Sequence, residues 1–213
     1  MLTRLLSIGL ALTALAALTI VSTGAAAPAR QSAGALTFCT DATYPPEEFY
    51  EGSKLVGSDI DIGSEVARRL GMTAKFQNTG FDAIIAALIA KKCDAIISGM
   101  NDTTERRKQV AFVDYLKVGQ TLMVKKGNPG HVTSLAALSG KRVSVESGTT
   151  NRDFLAKESN KLKAGGKKPI SIVTFPKDTD AVAALKAGRV DAYFGDTPPV
   201  IYYINHDLSL IHI

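Results

Sequence analysis

The sequence has few residues of the kinds that build metal centres or nucleophilic active sites. Its 213 residues include 2 Cys and 3 His. No cluster of His, Cys and carboxylate residues has the spacing of metal ligands, and we expect His131, His206 and His212 to be surface residues of loops or of the C-terminal tail. The sequence therefore indicates no metal, no other cofactor and no nucleophilic catalysis.

Long runs of charge of one sign are also absent. The 25 Lys and Arg residues exceed the 20 acidic residues by enough to give a formal net charge of +5, but the basic residues are scattered. No basic stripe with interleaved aromatic residues marks a nucleic-acid groove. We interpret the charge as a solvated surface and expect no nucleic-acid partner. The 46% hydrophobic content is typical of a soluble globular protein.

One long apolar run is present, close to the N-terminus. Arg4 precedes the run at residues 5–21, and small residues follow it, including Ala27-Pro28-Ala29. This is the pattern of an export signal, so residues 1–29 are predicted to be a signal peptide. A retained membrane anchor is the alternative, because the run is long enough to span a bilayer. No cysteine follows the run as a lipid-attachment site, and we expect a soluble periplasmic or extracellular protein.

The two cysteines, Cys39 and Cys93, are not predicted to form a disulfide, although exported proteins often contain one. Cys39 lies late in a predicted strand over 36–40, and Cys93 lies directly before another over 94–98. If these strands are parallel neighbours, an offset of about four residues separates the thiols by roughly 13 Å. A disulfide needs Cα atoms within about 7 Å. We therefore expect two unpaired thiols.

Strand and helix patterns alternate from residue 35 onward, and their order repeats after residue 130. Predicted strands span 36–40, 73–77, 94–98, 141–145, 170–175 and 191–195, and predicted helices span 60–70, 81–92, 151–162, 179–187 and 198–204, with a short helix from about 104. The alternation predicts an α/β fold with parallel sheets. Residues 86–95 also share the pattern Ala-Ala-Leu-x-Ala-x-x-x-Asp-Ala with residues 183–192. Together these repeats predict two similar lobes.

Two helix details can be tested against a structure. In the helix over 60–70, Ile62, Val66 and Leu70 recur at four-residue spacing, which predicts an apolar face. Thr150 is expected to be the N-cap of the helix over 151–162.

Ligands of parallel α/β sheets collect at the carboxyl ends of the strands, which here fall at 41–44, 98–101, 146–151 and 195–196. Arg106, just beyond one of them, can bind a carboxylate through two parallel hydrogen bonds, although a surface arginine is the alternative. Gly148-Thr149-Thr150-Asn151 opens a helix and can bind an anion or simply cap the helix.

Two further residues at strand ends have a binding and a structural interpretation. Asp196 ends a buried strand, and its carboxylate suits an ammonium group, or else caps the next helix. Tyr44, before Pro45-Pro46, can offer its ring to an apolar stem or a cation, or pack on its own lobe.

An ordered set of motifs connects these residues to one family. The motifs are Thr40-Asp41-Ala42-Thr43-Tyr44-Pro45-Pro46, Leu55-Val56-Gly57-Ser58-Asp59-Ile60-Asp61, Lys92-Cys93-Asp94-Ala95-Ile96-Ile97-Ser98-Gly99-Met100, Thr104-Glu105-Arg106-Arg107 with Ala111-Phe112, Ser147-Gly148-Thr149-Thr150, and Gly188-Arg189-Val190-Asp191-Ala192. From about residue 36 to 203 the chain resembles bacterial solute-binding family 3, the polar amino-acid-binding proteins of ABC importers.

The resemblance implies a two-lobed periplasmic-binding-protein architecture in which each lobe is a mainly parallel sheet flanked by helices. We place the first lobe at 30–125 and the second at 126–204. The implied function is capture of a free polar amino acid between the lobes and its delivery to an ABC transporter permease. We expect a monomer.

The resemblance also implies roles for individual residues. Arg106 would clamp the ligand carboxylate with Thr149 and Thr150, and Asp196 would bind the ammonium group. Asp41 and Tyr44 would reach the ligand side chain. The full set of predicted ligand-binding residues is Asp41, Tyr44, Ser98, Gly99, Asn101, Arg106, Thr149, Thr150, Asn151 and Asp196.

The sequence departs from the family pattern at three places. Ser58 stands where many relatives carry an aromatic residue, and Asn101 replaces a usual Ser or Thr. Residues 205–213 do not resemble the family's return to the first lobe, so we expect a truncated product or a foreign tail, with a single hinge strand at 121–126.

Two alternatives remain from the sequence. One is an exported dehydratase of the cyclohexadienyl or prephenate type, with Asp41 or Glu146 as the general acid. Neither candidate has a supporting His, so we expect a binding protein and not an enzyme. The other is the ligand-binding domain of a membrane sensor.

Overall fold

The computed structural model describes residues 34–213, so the predicted signal peptide lies outside the described residues. The strands are β1 (Ala35–Thr40), β2 (Thr43–Tyr44), β3 (Glu48–Glu51), β4 (Lys54–Val56), β5 (Thr73–Asn78), β6 (Ala95–Ile96), β7 (Gln120–Lys125), β8 (Arg142–Glu146), β9 (Ser171–Phe175), β10 (Ala192–Asp196) and β11 (Leu210–His212). The helices are α1 (Ser58–Arg69), α2 (Ile84–Ile89), α3 (Thr104–Arg107), α4 (Thr150–Ala164), α5 (Asp178–Lys186) and α6 (Thr197–His206), with 3₁₀ turns at Phe81–Ala83 and Leu135–Leu138. Among these residues no helix combines the length and apolar character that crossing a bilayer requires.

The first lobe is built on a parallel sheet of order β5-β1-β6. Because side chains alternate between the two faces of a strand, neighbouring residues of β1 enter different apolar clusters. Phe38 packs with Ala67 of α1 and stacks on Phe76, with ring centroids 5.5 Å apart. Cys39 faces α2. Helices therefore cover both faces of the sheet.

The second lobe is built on a five-stranded sheet of order β11-β7-β10-β8-β9. Strands β10, β8 and β9 are parallel, whereas β7 runs antiparallel to both of its neighbours. Side chains alternate here too, since Leu122 packs in the cluster that includes Leu155 of α4, and Met123 packs in the cluster that includes Leu185 of α5. The two sheets confirm the predicted α/β class with two lobes.

Two predicted boundaries differ from the observed sheets. Strand β7, expected as a hinge strand at the end of the first lobe, is hydrogen-bonded within the second sheet, so that sheet begins at Gln120 and not at residue 126. The tail expected to be aberrant contributes β11, which pairs with β7 through Leu210 opposite Lys125. Leu210 is buried in the second lobe. Burial of this apolar side chain favours the pairing over a solvated tail.

The buried face of α1 also differs from the prediction. Ile60, Gly63 and Ala67 face the sheet, while Ile62, Val66 and Leu70 are exposed. A Cβ atom added to Gly63 would lie 3.1 Å from the Phe76 ring. Small residues therefore let the helix approach the aromatic pair closely, and this packing decides which stripe is buried.

Cys39 and Cys93 form a disulfide, so the prediction of unpaired thiols is wrong. Their Cα atoms are 5.6 Å apart. The prediction assumed that Cys93 continues the extended strand, but β6 begins at Ala95 and the chain before it turns, with Lys91 at a positive φ of 57°. The turn brings Cys93 onto the face of the sheet that carries Cys39 and α2.

A small antiparallel sheet of order β2-β3-β4 was not predicted. Its strands have two to four residues, which is too short for a clear alternation of apolar and polar residues. The sheet places Tyr44 and the buried Glu48 beside the end of β1. It is thus the element that carries part of the candidate site.

Candidate functional site

The carboxyl ends of strands from both sheets meet at one cleft. Eight of the ten predicted site residues line it: Asp41, Tyr44, Ser98, Gly99, Asn101, Thr149, Asn151 and Asp196. The other two, Arg106 and Thr150, lie at its edge, where each bonds a residue of the opposite lobe. The rule that ligands gather at strand ends therefore brings the predicted residues together.

The two lobes contact each other through hydrogen bonds across the cleft. The Tyr44 hydroxyl donates to Asp196 Oδ2 at 2.7 Å, and the Thr150 hydroxyl donates to Asn101 Oδ1 at 2.7 Å. The backbone N–H of Asp178 donates to Thr43 Oγ1 at 3.2 Å. These contacts describe a closed arrangement, in which polar groups of both lobes surround one space.

Arg106 lies in the short helix α3, where its backbone N–H donates to the Thr103 hydroxyl at 3.2 Å. Its guanidinium donates to the Asn101 carbonyl at 2.7 Å and, across the cleft, to the Gly148 carbonyl at 3.0 Å. It also lies over the Phe81 ring, 5.4 Å from the centroid. Burial lowers the pKa of Arg106, while Asp153 and Asp196 act in the opposite direction. No ion pair among residues 34–213 includes Arg106, so an anion could become its counter-charge.

The loop Gly148–Asn151 caps α4 and also bonds across the cleft. The N-cap is Thr149 and not the predicted Thr150, because the Thr149 hydroxyl accepts from the backbone N–H of Arg152 at 3.2 Å. That hydroxyl also donates to the Glu146 carbonyl at 2.9 Å. Thr149 therefore has a structural role, and the Thr150 hydroxyl faces Asn101 of the other lobe.

Asp196 directs both carboxylate oxygens toward cleft residues. It occupies the N-cap position of α6 without a side-chain capping bond, which argues against the structural interpretation. Oδ2 accepts from Tyr44, and Oδ1 accepts from Asn151 Nδ2 at 3.1 Å. Burial raises the pKa of Asp196, and these hydrogen bonds and Arg106 partly offset the rise.

Asp41 and Ser98 are held by a network within the first lobe. Asp41 accepts from the Thr43 hydroxyl and from the backbone N–H of Phe81, both at 2.7 Å. Its own N–H donates to Ser98 Oγ at 2.9 Å, and Ser98 donates to Glu48 Oε1 at 2.8 Å. Burial raises the pKa of Asp41 and, more strongly, that of Glu48. The network fixes the positions of Asp41 and Ser98 at the ends of β1 and β6.

Several lining residues were missed as ligand-binding candidates: Thr43, Glu48, Phe81, Glu146, Asp178, Tyr193 and Phe194. Asp178 follows the carboxyl end of β9, so the strand-end rule could have identified it had that strand been included. Glu48 belongs to the unpredicted small sheet, and no local pattern marks it. Glu146 lies in the predicted strand-end range 146–151, but its predicted role is only that of a general acid in the enzyme alternative.

The cleft is rich in carboxyl groups. Asp41, Glu48, Glu146, Asp178 and Asp196 line it, and all five are buried. Buried carboxylates are costly unless a cation or hydrogen-bond donors compensate them. Among residues 34–213 no group of His, Cys and acidic side chains has the arrangement of a metal site. The buried carboxyl groups favour a cationic group in the cleft, and the Arg106 guanidinium favours an anionic one.

Two α/β sheets whose strand ends face each other across a polar cleft define the architecture of the two-lobed solute-binding proteins. The model of the bacterial extracellular solute-binding proteins, family 3, matches residues 36–188. The chain belongs to this family.

Similar proteins and a similar solved structure support that assignment. The chain is 34% identical over 182 residues to the putative ABC transporter arginine-binding protein 2 of Escherichia coli, covering 84% of this chain and 70% of the relative. It is 37% identical to the histidine-binding periplasmic protein of Salmonella typhimurium, with 74% of this chain and 58% of the relative covered. An ancestral arginine-binding protein bound to arginine superposes with a TM-score of 0.77 at 38% identity, covering 86% of this chain and 80% of that one.

Proposed function

We propose that this protein captures a free amino acid with a cationic side chain in the cleft and delivers it to an ABC transporter permease. The observation that carries the proposal is the charge distribution of the cleft. On one flank lies the Arg106 guanidinium, which forms no ion pair within residues 34–213, and five buried carboxyl groups lie around the remaining wall.

The two backbone groups of an amino acid match the two flanks. Arg106 supports binding of the carboxylate, since a guanidinium can donate two parallel hydrogen bonds to it, and Thr150 and Asn101 lie at the same edge. Asp196 supports binding of the ammonium group, together with Tyr44 and Asn151, which already contact its carboxylate. Closure around both charged ends is the proposed capture step.

The ligand side chain is assigned to the acidic wall that includes Asp41. Its carboxylate is buried, so a cation is its most favourable partner. The named ligands of the relatives, arginine and histidine, agree with this assignment.

Isothermal titration calorimetry of the purified protein with the twenty amino acids tests the proposal. We expect arginine, lysine or histidine to bind at micromolar concentrations, which corresponds to about −8 kcal/mol. A ligand at 100 times its dissociation constant should also stabilise the fold by about 2.7 kcal/mol. Absence of binding by any amino acid at millimolar concentration would contradict the proposal.

Lobe closure gives a second test, through Gly148. This residue has a φ of +74°, and a Cβ atom added to it would lie 2.8 Å from Asp82 Cα of the first lobe. Gly148→Ala should therefore hold the lobes apart and weaken ligand binding by about tenfold or more. The positive φ should also lower its ligand-free melting temperature, to about the same extent as in the control below. Gly166→Ala is the matched control, because Gly166 has a φ of +71° but no atom within 4 Å of an added Cβ. Equal affinity of both variants would show that this contact does not limit closure.

The remaining parts of the proposal concern location, assembly and chemistry. Membership of an extracellular family supports export, and we propose that the protein works outside the inner membrane as a monomer, with no nucleic acid bound and no chemical turnover. Size-exclusion chromatography with light scattering tests the monomer, and incubation with prephenate tests for dehydratase activity. A dimer in solution would contradict the proposed monomer, and conversion of prephenate would contradict the proposed absence of chemical turnover.

A further inference from the structure

Two carboxyl groups of the second lobe have no role in holding the backbone groups of an amino acid. Glu146 ends β8 and Asp178 begins α5, and their side chains are 6% and 3% exposed. Both line the cleft. They lie at the ends of neighbouring parallel strands, which explains why residues 32 positions apart meet.

Each of the two carboxyl groups has one buried oxygen without a hydrogen-bond partner: Glu146 Oε1 and Asp178 Oδ2. The other oxygen of Asp178 accepts from the Tyr193 hydroxyl at 2.5 Å. The backbone of Asp178 lowers the pKa of Glu146, against the larger raising effect of burial. A buried acceptor without a partner is costly, so a ligand that donates hydrogen bonds to these two oxygens would be favoured.

The charges around the pair are predominantly negative. Burial raises the pKa of Glu146 to about 10 and that of Asp178 to about 7. The charge of Asp178 adds to the rise at Glu146 and that of Asp196 to the rise at Asp178, and Asp41, which lines the same cleft from the first lobe, adds less to both. No ion pair among the described residues includes any of these three carboxyl groups. The exposed Lys177 affects Asp41 without forming an ion pair. Closure therefore brings carboxyl groups of both lobes together without a protein cation between them.

We infer that Glu146 and Asp178 form, with Asp41 across the cleft, an anionic subsite that binds the cationic side-chain group of the ligand. This inference rests on the proposed function. It adds that the second lobe selects the ligand: a cationic amino acid forms ion pairs with these carboxyl groups, whereas a neutral ligand of the same shape forms none.

Arginine and citrulline are suitable probes, because citrulline has nearly the same shape as arginine but a neutral side-chain end. For the wild-type protein we expect calorimetry to give at least 100-fold tighter binding of arginine. Glu146→Gln and Asp178→Asn should each reduce that ratio by about tenfold or more, through weaker arginine binding and unchanged or tighter citrulline binding. Asp178→Asn retains an oxygen that can accept from Tyr193. Asp180→Asn, at an exposed position of the same helix, is the control and should leave the ratio unchanged.

The outcomes separate this inference from the proposed function. Equal losses for arginine and citrulline in both variants would show that the pair is only structural and would overturn the inference. Equal affinity of the wild-type protein for arginine and citrulline would also overturn the inference. This measurement needs no variant, so misfolding of one variant does not prevent the test. Wild-type protein that binds neither ligand nor any other amino acid would instead contradict the proposed function.

Discussion

Replacement of Arg106 with alanine should weaken amino-acid binding by about 2–5 kcal/mol, the range for removing one partner of a buried, hydrogen-bonded charge pair. The guanidinium is the cationic group of the cleft that bonds both lobes, through the carbonyls of Asn101 and Gly148. Its removal leaves the ligand carboxylate desolvated without a counter-charge. Calorimetry with the best ligand of the wild-type protein measures the loss, which corresponds to roughly 30-fold or more in the dissociation constant.

Two control variants sharpen this prediction. Arg107→Ala removes the adjacent exposed arginine, which pairs with Asp102, and should leave affinity nearly unchanged. Arg106→Lys keeps the charge but loses the planar pair of donors, so its affinity should lie between those of the wild type and Arg106→Ala. Unchanged affinity in Arg106→Ala would show that the carboxylate binds elsewhere.

Removal of the Cys39–Cys93 disulfide should lower the free energy of unfolding by about 4 kcal/mol. The bond closes a loop with a sequence separation of 54 residues, and the chain-entropy model gives roughly this cost for a loop of that length. It joins β1 to the turn before β6 in the three-stranded parallel sheet of the first lobe. Urea denaturation of the Cys39→Ala/Cys93→Ala variant measures the effect.

Wild-type protein treated with reductant is the matched comparison for the double variant. We expect the reduced wild type and the variant to unfold at similar urea concentrations, both well below the oxidised wild type. Ligand binding at 25 °C should persist in the variant if enough stability remains, because neither sulfur lies among the cleft residues. Coincident unfolding curves for the oxidised wild type and the variant would contradict the prediction.

The strand-end rule predicted much of the candidate site, because it depends on local patterns. Asp41, Ser98 and Asp196 each follow or end a short apolar run, so their position at a sheet edge could be inferred from the sequence. Glu48 could not, since the two- to four-residue strands that hold it show no periodicity. The closure contacts of Tyr44 and Thr150 depend on how the lobes meet, which no local pattern encodes.

The wrong predictions about the buried face of α1 and about the cysteines have the same cause, because both features depend on contacts between distant segments. The helix α1 carries Ile62, Val66 and Leu70 on one stripe and Ile60, Gly63 and Ala67 on another, and periodicity alone favours the larger residues. The stripe with Gly63 and Ala67 is buried because these small residues let α1 pack closely against the Phe38–Phe76 pair. The disulfide depended in the same way on tertiary structure, because the chain turns before β6 and Cys93 does not extend that strand.

The sequence by itself determined the alternation of strands and helices, the two-lobed α/β class and the residue types at the strand ends, because these follow from periodicity and ordered motifs along the chain. Only the tertiary structure decided which face of α1 is buried, that the two cysteines pair, that β7 and β11 belong to the second sheet, and that Glu146 and Asp178 face Asp41. Those features depend on which distant segments touch, and the free energy of such contacts comes from packing and burial that no local segment contains.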